Sequence, residues 1–320
     1  MNAQRECRGW TRTGKLKSRD ELAVRSQSGC IETFSLDFDS RRRLQLVQRN
    51  TIHPMEASKD VYSHGHHESV LRSHKWRTVA NSAEYLKGHL VNGASVLDVG
   101  CGPGNLTAGI AELVHPGSVI GIDIASDVIE MAKAEFASSR IGFEVADIYS
   151  LSYPDEQFDV VHAHQVLQHL GNPIAALHEM KRVAKTGGFV AVRDSDYGEM
   201  TWSPEDAMLG RWLDLYQQIA RRNGAEPNAG RHLGDWARSV GFDEVHMSIS
   251  EWNFVSEDDR NWWGNLWADR VIQSQFAVQG IKYGLTTSTE LEEISLAFRK
   301  WAESPTGCFV VKHGEVIARK

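Results

Sequence analysis

The sequence predicts an α/β fold built on a mostly parallel sheet, and three observations carry that prediction. Short apolar segments alternate with helical patterns between residues 95 and 194, as strands and their covering helices do in parallel sheets. The first apolar segment runs into a turn with glycines at Gly100, Gly102 and Gly104. Aspartates recur at three successive strand ends, as Asp98, Asp123 and Asp147. Ligands of open α/β sheets bind outside the carboxyl ends of the strands, where the strand order switches. The glycine turn and the three acids therefore belong to one candidate site.

Taken in order, the pattern begins with a helix over residues 69–90, where Val70, Leu71, Trp76, Val79, Ala83 and Leu86 recur at helical spacing. It is placed beside the nucleotide site. The segment before it, residues 62–67, contains His64, His66 and His67. Adjacent histidines rarely complete a metal geometry alone, so this reads as a polar loop folding over the ligand, and no metal is expected. Strands are predicted at 95–99, 118–123, 141–147, 158–163 and 188–194. Helices follow from Asn105, over 126–137 and over 173–184, where Pro173 suits a first turn. Beyond Asp196 the pattern changes to helices over 204–223 and 230–240. The alternation at 244–254 reads as a strand, and 257–302 as largely helical, with Thr289 and Glu292 as a capping box. Residues 308–319 read as a final strand or short hairpin.

The glycine turn indicates what is bound. Glycines at alternate positions let the backbone turn tightly and approach a ligand without a Cβ in the way, and a helix start presents N–H groups to the same place. Dinucleotide sites use G-x-G-x-x-G around a pyrophosphate. Here the run is Asp98-Val99-Gly100-Cys101-Gly102-Pro103-Gly104. A carboxylate aimed into the turn repels a pyrophosphate and suits a cationic ammonium. With these residues the chain resembles the class I S-adenosylmethionine-dependent methyltransferases, whose first motif is D/E-x-G-x-G-x-G. The resemblance implies a Rossmann-like sheet of seven strands, the last two separated by a helical insertion, and S-adenosyl-L-methionine as cofactor.

The resemblance also assigns roles. Asp98, Gly100, Cys101, Gly102 and Gly104 form the turn around the methionine part. Asp123 ends the second strand, where its two oxygens can accept from ribose hydroxyls; alone, such a residue is as readily a helix cap. Asp147 meets the adenine amino group, with Ile124 and Ile148 as apolar neighbours of the ring. The segment after the fourth strand, His162-Ala163-His164-Gln165-Val166-Leu167-Gln168-His169-Leu170, resembles that of the UbiE/COQ5-like, quinone- and small-molecule-directed branch. His164 and Gln165 are candidate cofactor contacts there. His169 is a candidate general base or a helix-packing residue. Asp194, Asp196 and Tyr197 are further base candidates at the fifth strand end, and solvated loop is the alternative for each. Trp252, Trp262, Trp263 and Trp267 read either as core or as the wall of an apolar acceptor pocket.

Composition bounds the rest. The 320-residue chain carries net charge −7, divided unevenly. Residues 1–54 hold eleven Lys/Arg and six Asp/Glu, a balance of +5, leaving −12 for the remainder. An acidic body is a poor match for a phosphate backbone, so nucleic acid is not an expected partner. No apolar run reaches the roughly 20 residues of a membrane span. Cys7, Cys30, Cys101 and Cys308 are scattered, which fits a reducing, cytoplasmic compartment. Residues 1–54 read as a basic, disordered extension, with Met55 as an alternative start. Residues 55–320 read as the methyltransferase domain, its cofactor core about 60–200 and its acceptor lid about 200–305. The expected activity is methyl transfer to a small, fairly apolar acceptor, quinone-like or a secondary metabolite. The alternative is a methyltransferase-like regulator without turnover.

Overall fold

Eight strands form one sheet, and the break in their order creates the cleft on which the candidate site depends. The computed structural model describes residues 21–25, 31–38, 44–47, 60 and 68–320. The chain divides into two units, Met1–Ser58 and Lys59–Lys320. Within the first, strands β1 (Glu21–Arg25), β2 (Ile31–Phe38) and β3 (Leu44–Val47) pair antiparallel in the order β1-β2-β3. The remainder of the 1–54 extension and the histidines of residues 62–67 lie outside the described residues.

The second unit opens with α1 (Glu68–Lys75), α2 (Val79–Ser82) and α3 (Glu84–Lys87). The single helix expected over 69–90 is thus three short ones. The break has a local cause. Thr78 caps α2, accepting from the Asn81 N–H while the Asn81 side chain accepts from the Thr78 N–H, and this capping box starts a new helix instead of extending the old one.

The alternating core follows: β4 (Ser95–Val99), α4 (Asn105–Leu113), β5 (Ser118–Asp123), α5 (Ser126–Phe136), β6 (Ile141–Val145), β7 (Phe158–His164), α6 (Pro173–Val183) and β8 (Ala184–Ser195). The third strand ends two residues earlier than expected, so Asp147 stands in the turn beyond it and caps that turn by accepting from the Tyr149 N–H. After β9 (Thr201–Ser203) come α7 (Ala207–Arg222), α8 (Leu233–Ser239), β10 (Glu244–Phe254), α9 (Glu257–Gln273), α10 (Gln275–Lys282), α11 (Ser288–Ala302) and β11 (Cys308–Arg319). The strand order is β10-β11-β8-β7-β4-β5-β6, with the short β9 added on β11. Strands β4 to β8 are mutually parallel, and β11 runs antiparallel to both β8 and β10. The seven expected strands form this path. The sequence reading missed β9.

Further boundaries differ. The expected capping box at Thr289 and Glu292 is not the one used: α11 is capped two residues earlier, by Thr287 accepting from the Glu290 N–H. Glu290 itself is drawn to Arg211 at 2.7 Å, which anchors the helix start against α7. Residues 257–302 are divided at Ser274, which caps α10 through the Phe276 N–H, and again at Gly284, whose φ of +69° reverses the chain.

Apolar residues on the two sides of the parallel sheet fill two cores. A third, aromatic core gathers residues from α7, α9, α11, β10 and β11. Phe309, fully buried, stands at its centre within ring contact of Trp202, Trp212, Trp263 and Trp301. Most of the late tryptophans are therefore buried against one another. Phe309→Ala removes a fully enclosed ring, and denaturant unfolding should show a loss of about 3–5 kcal/mol.

Candidate functional site

Strands β5 and β6 extend the sheet from β4 in one direction, and β7 and β8 in the other. The carboxyl ends of β4 and β7 therefore part into a cleft. The turn leaving β4 lies in it, with Gly100, Gly102 and Gly104 all at positive φ. A Cβ at Gly100 would collide with the Val166 side chain, and one at Gly104 would meet the Phe143 ring at 2.9 Å. Only glycine fits these two places. Gly104 caps α4 and offers no side-chain acceptor, leaving the first-turn N–H groups of α4 for a ligand.

Asp98 is 2% exposed beneath this turn. Its Oδ1 accepts from His162 Nδ1 at 2.8 Å, and its Oδ2 from the Thr107 hydroxyl at 2.5 Å. One carboxylate thus joins β4, β7 and α4. Asp123, at the end of β5, accepts from the Gly102 N–H at 3.1 Å and from the Ala125 N–H at 3.0 Å. It braces the glycine turn from the end of β5. Next to it the Ile124 side chain is 69% exposed, whereas Ile148 is buried.

Two pockets meet here. The first is lined by Asp98, Gly100, Cys101, Gly102, Asn105 and His164, among others. His164 is 4% exposed, and neither ring nitrogen has a hydrogen-bond partner among the described residues; Asn105 Oδ1 is likewise buried without one. Buried polar atoms of this kind normally find a partner, which marks this pocket as a candidate ligand site. Burial, then the Asp98 and Asp123 charges, push the Cys101 thiol far up, so it stays protonated.

The second pocket is lined by Gln165, Gln168, His169, Ser195, Tyr197 and Arg270, walled by Trp252, Trp263 and Trp267. His74 and Arg77 line both pockets. Gln165 adopts φ +54°, an uncommon conformation for a side chain this long. It is held there on three sides: its amide donates to the Ser195 hydroxyl and contacts His313 Nε2, while its carbonyl accepts from Arg77 at 2.6 Å.

The sequence-predicted residues thus divide. Asp98, Gly100, Cys101, Gly102 and His164 meet in the first pocket, and Gln165, His169 and Tyr197 in the second. Gly104, Asp123, Ile124, Asp147 and Ile148 line neither, and occupy the adjoining turn and the ends of β5 and β6. Burial, reinforced by Arg77, pushes His169 down to about 3, making it a weak base. Tyr197 stacks on Tyr216 with centroids 3.9 Å apart, and burial raises its phenol. Asp196 accepts from Nε and Nη2 of Arg231, each at 2.6 Å. Sequence reasoning missed His74, Arg77 and Arg270. Arg77 follows Trp76 in the predicted helical stripe, but nothing local marks it as a site residue.

The switch point of a Rossmann-like sheet thus carries a glycine-turn pocket adjoining an aromatic one, an arrangement suited to an enzyme with a nucleotide-type cofactor and a second substrate. A family profile described as a methyltransferase domain matches residues 90–253. The chain is 31% identical over 270 residues to an uncharacterised methyltransferase of Schizosaccharomyces pombe, covering 81% of this chain and 96% of that protein. It is 30% identical over 280 residues to the probable methyltransferase ltbC of Aspergillus luteorubrus, covering 81% and 97%. Similarity to the ubiquinone/menaquinone C-methyltransferase UbiE of Bdellovibrio bacteriovorus is 37% over 102 residues, 31% of this chain and 43% of that one. The chain belongs to the class I S-adenosylmethionine-dependent methyltransferases, and its methyl donor is S-adenosylmethionine.

Burial raises Asp194 to about 7, against the opposing Gln168 N–H and Arg193 charge. An unfolded aspartate titrates near 3.9. The folded state therefore binds more protons between about pH 4 and 7, and this group's contribution to stability falls as pH rises through that window. Asp194→Asn should remove that loss. Unfolding of the two proteins from about pH 4 to 8 should show the parent losing up to about 4 kcal/mol relative to the variant.

Proposed function

We propose that this methyltransferase acts on a small, largely apolar aromatic acceptor, quinone-like or a secondary metabolite, held in the pocket walled by Trp252, Trp263 and Trp267. The observation that carries this reading is the sharing of His74 and Arg77 by the glycine-turn pocket and the aromatic pocket. Two reactants held in adjoining pockets can reach a near-attack geometry, which accounts for most of what a protein contributes to this chemistry.

In this reading residues 60–200 hold the cofactor and residues 200–305 cover the acceptor. Asp98 and the Asn105 carbonyl face the ammonium of the methionine part, and the backbone from Gly100 to Gly104, with Cys101, lies along it. Asp123 accepts from the ribose hydroxyls. Asp147 receives the adenine amino group, with the ring between Ile124 and Ile148. His164 and Gln165 border the sulfur end. Bound there, the cofactor supplies a methyl group activated by the sulfonium. The buried aromatic wall excludes water from the acceptor. His169, poorly basic, and Tyr197, held as a phenol, orient the acceptor by hydrogen bonding in place of removing its proton.

The UbiE segment similarity and the His164–Leu170 run support a place near the quinone-directed branch, and the scattered cysteines support a cytoplasmic location. No helix among the described residues is long and apolar enough to cross a membrane.

Calorimetry with S-adenosylmethionine tests the site. Asp123→Ala and Gly100→Ala should each weaken binding by about tenfold or more, a change of ~1.4 kcal/mol. Undiminished affinity in both folded variants overturns the assignment. Incubation with methyl-labelled cofactor and a cell extract should then yield a labelled small molecule, and label appearing only in protein or nucleic acid overturns the acceptor class.

A further inference from the structure

We propose that His164 determines which form of the cofactor this site prefers: an unshared ring nitrogen faces the sulfonium and its methyl group, so that the methyl donor is held in preference to the spent thioether. This deepens the cofactor reading given above and rests on it. Three observations combine. The first is place. His164 ends β7 and lines the glycine-turn pocket, while the next residue, Gln165, lines the aromatic one. The His164 ring stands edge-on to Trp252 of the aromatic wall, with centroids 5.8 Å apart and planes at 60°. A methyl group moving from a donor in one pocket to an acceptor in the other crosses this boundary.

The second observation is unused hydrogen-bonding capacity. His164 is 4% exposed, and neither ring nitrogen has a hydrogen-bond partner among the described residues. Two neighbouring histidines are engaged. His162, two positions earlier on β7, uses Nδ1 on Asp98, and His313 Nε2 contacts the Gln165 amide. A neutral imidazole carries one donor and one acceptor nitrogen, and burying both unpaired is costly. In this reading the missing partner is the ligand of the pocket that His164 lines.

The third is charge. Burial, then the positive charges of Arg77 and Arg193 and the neighbouring His313 and His162, hold the ring well below the usual histidine range. It stays uncharged at neutral pH. An imidazolium there would repel a sulfonium, whereas the neutral ring offers a lone pair. The hydrogens of a sulfonium methyl carry part of its positive charge, and a C–H group polarised in this way is a weak donor. Methyl transfer forms the acceptor–CH3 bond as the S–CH3 bond breaks, and the bonding pair returns to sulfur. The thioether left behind is neutral. The attraction lapses with the charge, which favours exchange of product for fresh donor.

Calorimetry on the full chain with S-adenosylmethionine and S-adenosylhomocysteine, each alone at neutral pH, tests the proposal. The parent should bind the methyl donor about tenfold or more tightly than the thioether. His164→Leu, which lacks the ring nitrogens, should bring the two affinities to within about twofold of each other. The loss should fall on S-adenosylmethionine, with S-adenosylhomocysteine moving by less than about twofold. His164→Gln, whose amide oxygen can accept in place of the ring nitrogen, should keep most of the preference. If His164→Leu does not fold, His164→Phe keeps a ring without nitrogens and carries the same expectation. Sinefungin, with an ammonium-bearing carbon in place of the methylsulfonium, needs no variant and should also bind the parent more tightly than the thioether. Equal affinities in the parent, a preference that survives loss of the ring nitrogens, or an equal loss of both ligands overturns the proposal. Failure of the parent to bind either ligand overturns the cofactor site and this proposal together, whereas binding of both without preference overturns this proposal alone.

Discussion

A single buried carboxylate, that of Asp98, holds the functional end of the molecule together. It is the last acidic group before the chain leaves β4, and its two oxygens are engaged by Thr107 on α4 and His162 on β7. A buried charge persists only where hydrogen bonds replace the water it has lost. Satisfying Asp98 therefore fixes the strand, the neighbouring strand across the switch point and the helix that follows the glycine turn. The turn has little freedom once its two ends are tied. Asp123 completes the arrangement from β5 by accepting from the Gly102 N–H.

The second pocket is organised by a different principle. Its walls belong to the aromatic core, so the same tryptophans that stabilise the C-terminal region also shape the space beside the cofactor cleft. Core and pocket wall are one structure: Trp252, Trp263 and Trp267 belong to the aromatic core and also line the second pocket. Trp262 differs: it packs on Trp76 with ring centroids 4.9 Å apart, tying α9 to the link between α1 and α2 in which Arg77 lies. Beneath the pocket, Arg193 and Glu315 form a buried pair joining β8 to β11, further bonded by Ser250 and Ser248. This network links β8, β11 and β10 through side chains.

Much of the fold was legible because it rests on local pattern. The strand at 244–254 appears with the bounds that its alternation predicts, since period-two patterning identifies a strand directly, and that at 118–123 with the bounds read from the succession of strand and helix patterns. The divided helix at 69–90 was not legible. The capping strength of Thr78 and Asn81 competes with an apolar stripe that continues past it, and helical periodicity registers only the stripe. The shift of the α11 cap from Thr289 to Thr287 has a similar origin. Either threonine can cap, and Glu290's attachment to Arg211, 79 positions away, selects between them.

By itself the sequence determined the glycine turn: the spacing of Gly100, Gly102 and Gly104 after Asp98 is a property of consecutive residues and of backbone conformations only glycine adopts freely. The lining of the second pocket was decided by tertiary structure alone. Arg77 and Arg270 are 193 positions apart, and neither stands in a motif. They line one pocket because the break after α1 and the packing of α9 against it bring two distant elements over the same strand ends. Charge at a pocket is a sum over residues that only folding assembles, and no local pattern records it.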